Sequence, residues 1–368
     1  MANAREIEKG VWRLDSCYKR QRKTFRGTSS KDVKKQERDW MREIDDFGKK
    51  LNKSKCNFIE LARQNLFLNI KDDVSEGTFE RYMCAFRKHI SVYKEFDKDV
   101  KEITQDDIKR FFNSKKDMSK TSIKMMKIVI KSTFDYAVSS NFVRDNICKD
   151  IKLPKSNFNS NRTIEAFTLE EQNSYLNYVK NTLYNEILTT AFATGMRQGE
   201  LVALRWENVD LTNNIIHVKE SSRRVMIYGE DETYTYETIQ GNTKTVKSNR
   251  DIPISKEISS MLKKLKLKNG GKDKDFVFLS AKSEQIKNDT LKTMHKRYCK
   301  FAGVKEINFH CIRHTFATRM IEQGVDVKTL SELMGHSDVS ITLNRYVHTS
   351  NESKRYAIEK ISKLISTL

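Results

Sequence analysis

Thr194-Gly195-Met196-Arg197-Gln198-Gly199-Glu200-Leu201 sets one arginine at a break between two helical runs, and the rest of the chain is read outward from it. Three further features follow. Thr243-Lys244-Thr245-Val246-Lys247-Ser248-Asn249-Arg250 is a basic turn leading into a strand over 251–254. His310-Cys311-Ile312-Arg313 has the i, i+3 spacing that puts an imidazole and a guanidinium on one helix face. Gly335-His336 is followed ten residues later by Tyr346, within Leu343-Asn344-Arg345-Tyr346-Val347-His348. Singly, each has a plain structural reading: a capping arginine, a solvated hairpin tip, a core histidine, a helix stop, a packing tyrosine.

As a set, two arginines, a lysine, two histidines and a tyrosine suit attack on a phosphodiester. Negative charge builds on the non-bridging oxygens, and two guanidiniums can hold those oxygens bidentately and in line. A tyrosine hydroxyl has a pKa near 10 and needs a base or a cationic field before it attacks. A histidine can take its proton, and a lysine or histidine can protonate the departing 5′ oxygen. The bond energy stays in the phosphotyrosine ester, so this chemistry calls for no metal and no nucleotide cofactor.

Working back from Arg197, Thr168-Leu169-Glu170-Glu171 is a capping box that opens a new helical region. It follows 151–165, IKLPKSNFNSNRTIE, where Pro154 and a Ser/Asn run mark a linker. Residues 53–150 carry helical periodicity, clearest over 78–93 and 120–138, with Thr104 and Ser119 or Thr121 as N-caps. In the second of these helices Lys120, Lys124, Lys127 and Lys131 stack on one face beside an apolar sector of Ile123, Met126, Ile130, Phe134 and Ala137. Such a row can lie along phosphates or be a solvated face. Residues 1–50 read as a small unit: strands over 11–14 and 20–27, then a helix over 32–46 with Trp40, Met41 and Ile44 inward. Arg13, Lys19, Arg20, Arg22, Lys23, Arg26 and Lys31 face one acid there, Asp15. A ribbon so basic suits a DNA groove, although a solvated hairpin has the same composition. After Arg197, strand-like pieces lie at 215–219, 224–228, 233–238 and 250–254, and the pattern is mostly helical from 283 on.

Composition agrees with a helix-rich chain of two or three domains: 368 residues, 38% hydrophobic, 32% charged, 13 Gly and only 2 Pro. The 69 Lys+Arg against 49 Asp+Glu leave +20, which favours a polyanionic partner, nucleic acid before membrane. Lysine outnumbers arginine, and an AT-rich genome has the same effect on composition. The six cysteines, at 17, 56, 84, 148, 299 and 311, form no Cys-x-x-Cys pair, so no disulfide framework or zinc knuckle is expected. His295 and Cys299 share a helix spacing but have no second ligand pair, so no metal site is expected. No apolar leader or membrane-length run is present.

The order Arg, Lys, His-x-x-Arg, Gly-His, Tyr resembles the tyrosine recombinases, and among them the phage-type, lambda-like integrases. TGMRQGELVALRWENVDL, HCIRHTFATRM and LMGHSDVSITLNRYVH are similar to that family's signature boxes over roughly residues 165–350. The resemblance implies a mainly α, multidomain protein. Residues 1–50 would be an arm-site DNA-binding β-ribbon with a helix, 53–150 a helical core-site-binding domain, and 165–368 an α-rich catalytic domain with a small antiparallel sheet. It implies that Arg197 and Arg313 bind the scissile phosphate, Tyr346 forms a 3′-phosphotyrosyl bond, His310 is an acid/base and His336 hydrogen-bonds the phosphate. Lys244, or Lys247 three residues on, would protonate the leaving oxygen, and Glu200 would support the site.

The expected function is integration and excision of a phage or mobile element, by a homotetramer on double-stranded core and arm sites. An excisionase and a host DNA-bending protein would assist, in the bacterial cytoplasm at the nucleoid. A Xer-like resolvase, a type IB topoisomerase and a DNA-binding regulator with a decayed site are the alternatives. The first usually lacks a unit such as 1–50, the second is usually larger, and the intact six-residue set argues against the third.

Overall fold

The computed structural model describes the chain apart from residues 1–3, 19–20, 47–51, 53, 159–164, 230–232, 243–248 and 337, and, after 346, all but Ile358 and Ser362. Of residues 21, 43–46, 242 and 344–346 it describes the backbone only. The chain divides into two compact units, Met1–Asn159 and Ser160–Leu368.

The first unit opens with β1 (Arg5–Glu8), β2 (Val11–Tyr18) and β3 (Gln21–Gly27), an antiparallel sheet in the order β1-β2-β3, followed by α1 (Ser30–Asp46). The sequence pattern gave two strands. The third, β1, reads Arg-Glu-Ile-Glu with every residue exposed, so its own residues do not mark it and pairing with β2 makes it. Leu14 and Phe25 face each other across β2 and β3 and, with Val33 and Trp40, form a separate small core. Trp40 meets Phe25 edge-on at 5.5 Å. Arg22 and Lys23 are exposed on β3; Arg20 and the Ile44 side chain lie outside the described residues.

The same unit continues through α2 (Phe58–Asn65), α3 (Glu76–Ala85), α4 (Gln105–Asn113) and α5 (Lys120–Ser139). The helix expected over 78–93 is instead α3 followed by a π turn, Phe86–Ile90, that keeps both Phe86 and Ile90 buried. Thr104 caps α4 with Asp107 as its reciprocal partner, and Ser119 caps α5. Phe58, Phe96, Phe111 and Phe134 pack at centroid distances of 5.0–5.3 Å. The apolar sector expected on α5 is buried throughout. The lysine row is not uniform: Lys127 donates to the Ile151 carbonyl at 2.6 Å and Lys131 pairs with Asp135 at 2.9 Å, while Lys120 and Lys124 are exposed.

The second unit holds α6 (Leu169–Val179), α7 (Asn185–Thr194), α8 (Gln198–Ala203), β4 (Val209–Asp210), β5 (Ile215–Val218), β6 (Glu220–Tyr228), β7 (Tyr234–Asn242), β8 (Arg250–Pro253) and α9 (Lys256–Asn269). It ends with α10 (Asn288–Phe301), α11 (His310–Glu322), α12 (Val327–Met334) and α13 (Val339–Tyr346). Among the described residues it has two antiparallel sheets, β4-β5-β8 and the hairpin β6-β7. Thr168 and Glu171 form the capping box on α6 that the sequence announces. The core gathers around Phe167, Tyr175 and Trp206, all under 2% exposed. A large side chain buried to that degree contributes about 1.5–3 kcal/mol. No helix among the described residues is long and apolar enough to cross a membrane.

Candidate active site

Arg197 follows the Gly195 turn that ends α7 and serves as the N-cap residue of α8. Gly195 sits at φ 61°, and a Cβ there would lie 2.3 Å from the Phe316 ring, so both the turn and the packing of α7 on α11 require glycine. The Arg197 side chain donates to Glu200 Oε1 at 2.8 Å and to the Gly335 carbonyl at 3.0 Å. Its backbone N–H donates to Glu200 Oε2 at 2.8 Å.

The C-terminus of α12 organises the site. A helix end leaves carbonyls without intrahelical partners and carries partial negative charge, so it attracts cations. Here three successive carbonyls each accept from a different arginine. Arg250 Nε donates to Leu333 O at 2.7 Å, Arg313 Nη2 donates to Met334 O, and Arg197 Nη2 takes Gly335 O. Arg313 also donates to Gly195 O at 2.8 Å, tying the two glycine turns together. Arg313 is buried, whereas the Arg197 side chain is 36% exposed.

His336, just past the αL cap at Gly335, has Nδ1 2.8 Å from the hydroxyl of buried Thr342 on α13. Tyr346 is the last residue of α13, so the His336 turn and the helix carrying the tyrosine are joined by that hydrogen bond. His310 is the exposed first residue of α11, and its ring meets that of His314 at 4.7 Å, edge to face. Lys244 and Lys247 both lie outside the described residues, between the end of β7 and the start of β8.

The open end of the β6-β7 hairpin is fixed. A Cβ on Gly199 would lie 2.5 Å from Ser222 O, so α8 lies directly against β6. Asn288, at the start of α10, donates to Ser222 O at 3.0 Å and accepts from Gln198, and Arg224 pairs with Asp289 at 2.7 Å.

Sequence reasoning missed three residues. Arg250 is the chief one: its side chain is 6% exposed and holds Glu200 through both terminal nitrogens, at 2.7 and 3.1 Å. A signal for it existed. Arg250 begins β8 and stands two and four residues before inward Ile252 and Ile254, so strand period puts it on the same, buried side. Thr342 and His314 carried no such mark. Burial pushes the Glu200 carboxyl up, but the hydrogen bonds and charge of Arg250, then the charge and backbone N–H of Arg197, outweigh it and hold it down at about 2. His295, the weak metal candidate, is committed within the core: Nδ1 meets Tyr175 Oη at 2.8 Å and Nε2 meets Ile307 O at 3.0 Å.

Residues 162–353 match the phage integrase family. The chain belongs to that family. It is a tyrosine-type site-specific DNA recombinase. A protein described as tyrosine recombinase XerC-like, from Caldanaerobacter subterraneus subsp. tengcongensis, is 31% identical over 360 residues, covering 93% of this chain and 92% of its own. The integrase of Staphylococcus phage L54a is 26% identical over 270 residues, covering 64% of this recombinase and 72% of the phage protein. Among solved structures, the Tn1549 transposon integrase in complex with transposon right end DNA shares the fold at TM-score 0.63 and 20% identity, covering 83% of this recombinase and all of that chain. A lambda integrase tetramer bound to a Holliday junction gives 0.57 at 18% identity, covering 92% and 96%. The family match spans every segment that meets at the α12 C-terminus.

Proposed function

We propose that this recombinase integrates a phage or other mobile element and, with a helper, excises it, through a phosphotyrosine intermediate formed by Tyr346. The observation that carries the reading is the gathering of Arg197, Arg313 and His336 around one helix end, with α13 and its terminal tyrosine pinned to the same turn. In the reaction the Tyr346 oxygen attacks the phosphorus, the bond to the 5′ oxygen breaks, and the 3′ phosphate passes to the enzyme. His310 takes the tyrosine proton, Lys244 gives one to the leaving oxygen, and the guanidiniums of Arg197 and Arg313 with His336 stabilise the charge on the phosphate. One ester replaces another, and the partner duplex's 5′ hydroxyl reverses the step to complete the exchange.

The net charge of +20 supports double-stranded DNA as the partner. The DNA complexes and the tetramer of the solved integrases support a tetramer on DNA. Core and arm sites would be its substrates, and an excisionase and a host DNA-bending protein would assist it beside the bacterial nucleoid. Arg20, Arg22 and Lys23 would read arm DNA, and exposed Lys120 and Lys124 are better placed for phosphate than Lys127 and Lys131, which hold protein partners. Resolution of chromosome dimers is the second reading, favoured by the XerC-like relative. Sequencing the junction between the element and the chromosome decides between them and supplies the core sequence.

On a nicked duplex with that core sequence, Tyr346→Phe should bind as the parent does and form no covalent adduct on a denaturing gel. An adduct that persists in the variant would move the nucleophile elsewhere. Tyr298 is a poor substitute, since it is buried and burial pushes its hydroxyl up.

A further inference from the structure

Glu200 is a buried carboxylate, 2% exposed, held between two guanidiniums of different character. Arg197 is partly exposed and touches it with one terminal nitrogen, plus its backbone N–H. Arg250 is 6% exposed, covers both carboxylate oxygens, and is held from behind by Leu333 O. Space there is tight, since a Cβ on Gly335 would stand 3.0 Å from Arg250 Cδ. At that depth Arg250 faces the Glu200 carboxylate and the Leu333 carbonyl inside the protein, and its charge acts on the site through Glu200.

A buried carboxylate demands compensation by cations and hydrogen-bond donors. With Arg250 present the demand is met from the protein side. Without it, Glu200 would have Arg197 as its remaining cation among the described residues of this network, and the attraction between the two would be strong in so dry a setting. The guanidinium needed at the phosphate would then be drawn onto the carboxylate and electrostatically cancelled by it.

We propose that Arg250 is a positioning residue that neutralises Glu200 from within and so leaves the charge of Arg197 available to the scissile phosphate. The assignment rests on the reading of Arg197 as a phosphate ligand. It separates two roles that Glu200 would otherwise confuse: the carboxylate aligns Arg197 through two hydrogen bonds, and Arg250 keeps that alignment from becoming an ion pair strong enough to compete with DNA. It also ties the start of β8, directly after the segment that carries Lys244, to the same carboxylate.

The test is single-turnover adduct formation by the full chain, at saturating enzyme, on a nicked duplex carrying the core sequence. Arg250→Met should slow cleavage about a hundredfold, the scale of losing one electrostatic stabiliser, while core-site affinity stays within about threefold. Glu200→Gln alone should fall less than that. The double variant Glu200→Gln/Arg250→Met should recover at least about tenfold over Arg250→Met, because no carboxylate remains to capture Arg197. Removing the carboxylate also relieves the stability cost of an unpaired buried charge, so rates are compared where Arg250→Met is fully folded by circular dichroism, and only a gain in cleavage rate there counts as rescue. If Arg250→Met fails to fold by circular dichroism, Arg250→Gln, alone and with Glu200→Gln, keeps hydrogen-bonding capacity without the charge and is read the same way. The proposal is overturned if the double variant is no faster than the single, if Arg250→Met cleaves at the parent rate, or if Glu200→Gln is as slow as Arg250→Met. Arg197→Met is run alongside. If it cleaves normally the phosphate reading itself fails, whereas a dead Arg197→Met with an unrescued double variant removes only the role of Arg250.

Discussion

His295 shows how far a single buried side chain governs the pH response. Burial pushes its ring down to about 4, against the Ile307 carbonyl and the Glu306 charge, which favour the proton. The unfolded chain takes that proton near pH 6.5, and the folded one refuses it until about pH 4. The stabilisation is therefore complete above pH 6.5 and is lost as the pH falls from 6.5 to 4. Its size is on the order of 3 kcal/mol. Urea midpoints for the second unit, followed by amide exchange in α10 and α11, should fall across that window in the parent and fall less in His295→Gln, which can still bond but does not titrate. An unchanged slope in the variant would assign the pH dependence to other groups. The residue scale is also where sequence reading was weakest. A histidine four residues before a cysteine is compatible with a metal or a core role, and only the positions of Tyr175 Oη and Ile307 O distinguish them.

At the scale of elements, helix ends carry the function more than helix bodies do. Gly195 and Gly335 both adopt left-handed conformations that end α7 and α12, and the carbonyls they expose receive the arginines. Both glycines were legible as helix stops. That three arginines would take three successive carbonyls at the end of α12 was not, because Arg197, Arg250 and Arg313 are far apart in sequence and none of them alone names its acceptor. The α13 helix is joined to this end through Thr342 and His336. Thr342→Val keeps the shape and removes the hydroxyl, so adduct formation should drop on the order of tenfold, the kinetic equivalent of one hydrogen bond, and Thr342→Ser should restore most of it. Parent-like cleavage by the valine variant would show that His336 is oriented without Thr342.

Across the whole molecule, all six residues proposed for the chemistry lie in the second compact unit, and the small sheet with α1 has a core of its own around Leu14, Phe25, Val33 and Trp40. Deleting residues 1–50 should therefore leave Tyr346 adduct formation on a core site intact while abolishing recombination of full attachment sites and salt-sensitive binding to arm DNA. Normal recombination by the truncated protein would make the unit dispensable and favour the resolvase reading. Loss of core-site cleavage would place the functional boundary beyond residue 50. Sequence by itself determined the helices with strong caps and apolar stripes, such as α4, α5 and α6, because capping and amphipathic period are local. It also supplied the order of chemical residues that resembles the tyrosine recombinases. Only the tertiary structure decided the rest: β1 as a strand, the π turn after α3, the protein-bound state of Lys127, and the pairing of the Arg250 guanidinium with Glu200 and Leu333 O. Each depends on a partner distant in sequence. A strand edge, a carbonyl or a buried carboxylate acts on a residue through space, and that force leaves no period in the chain.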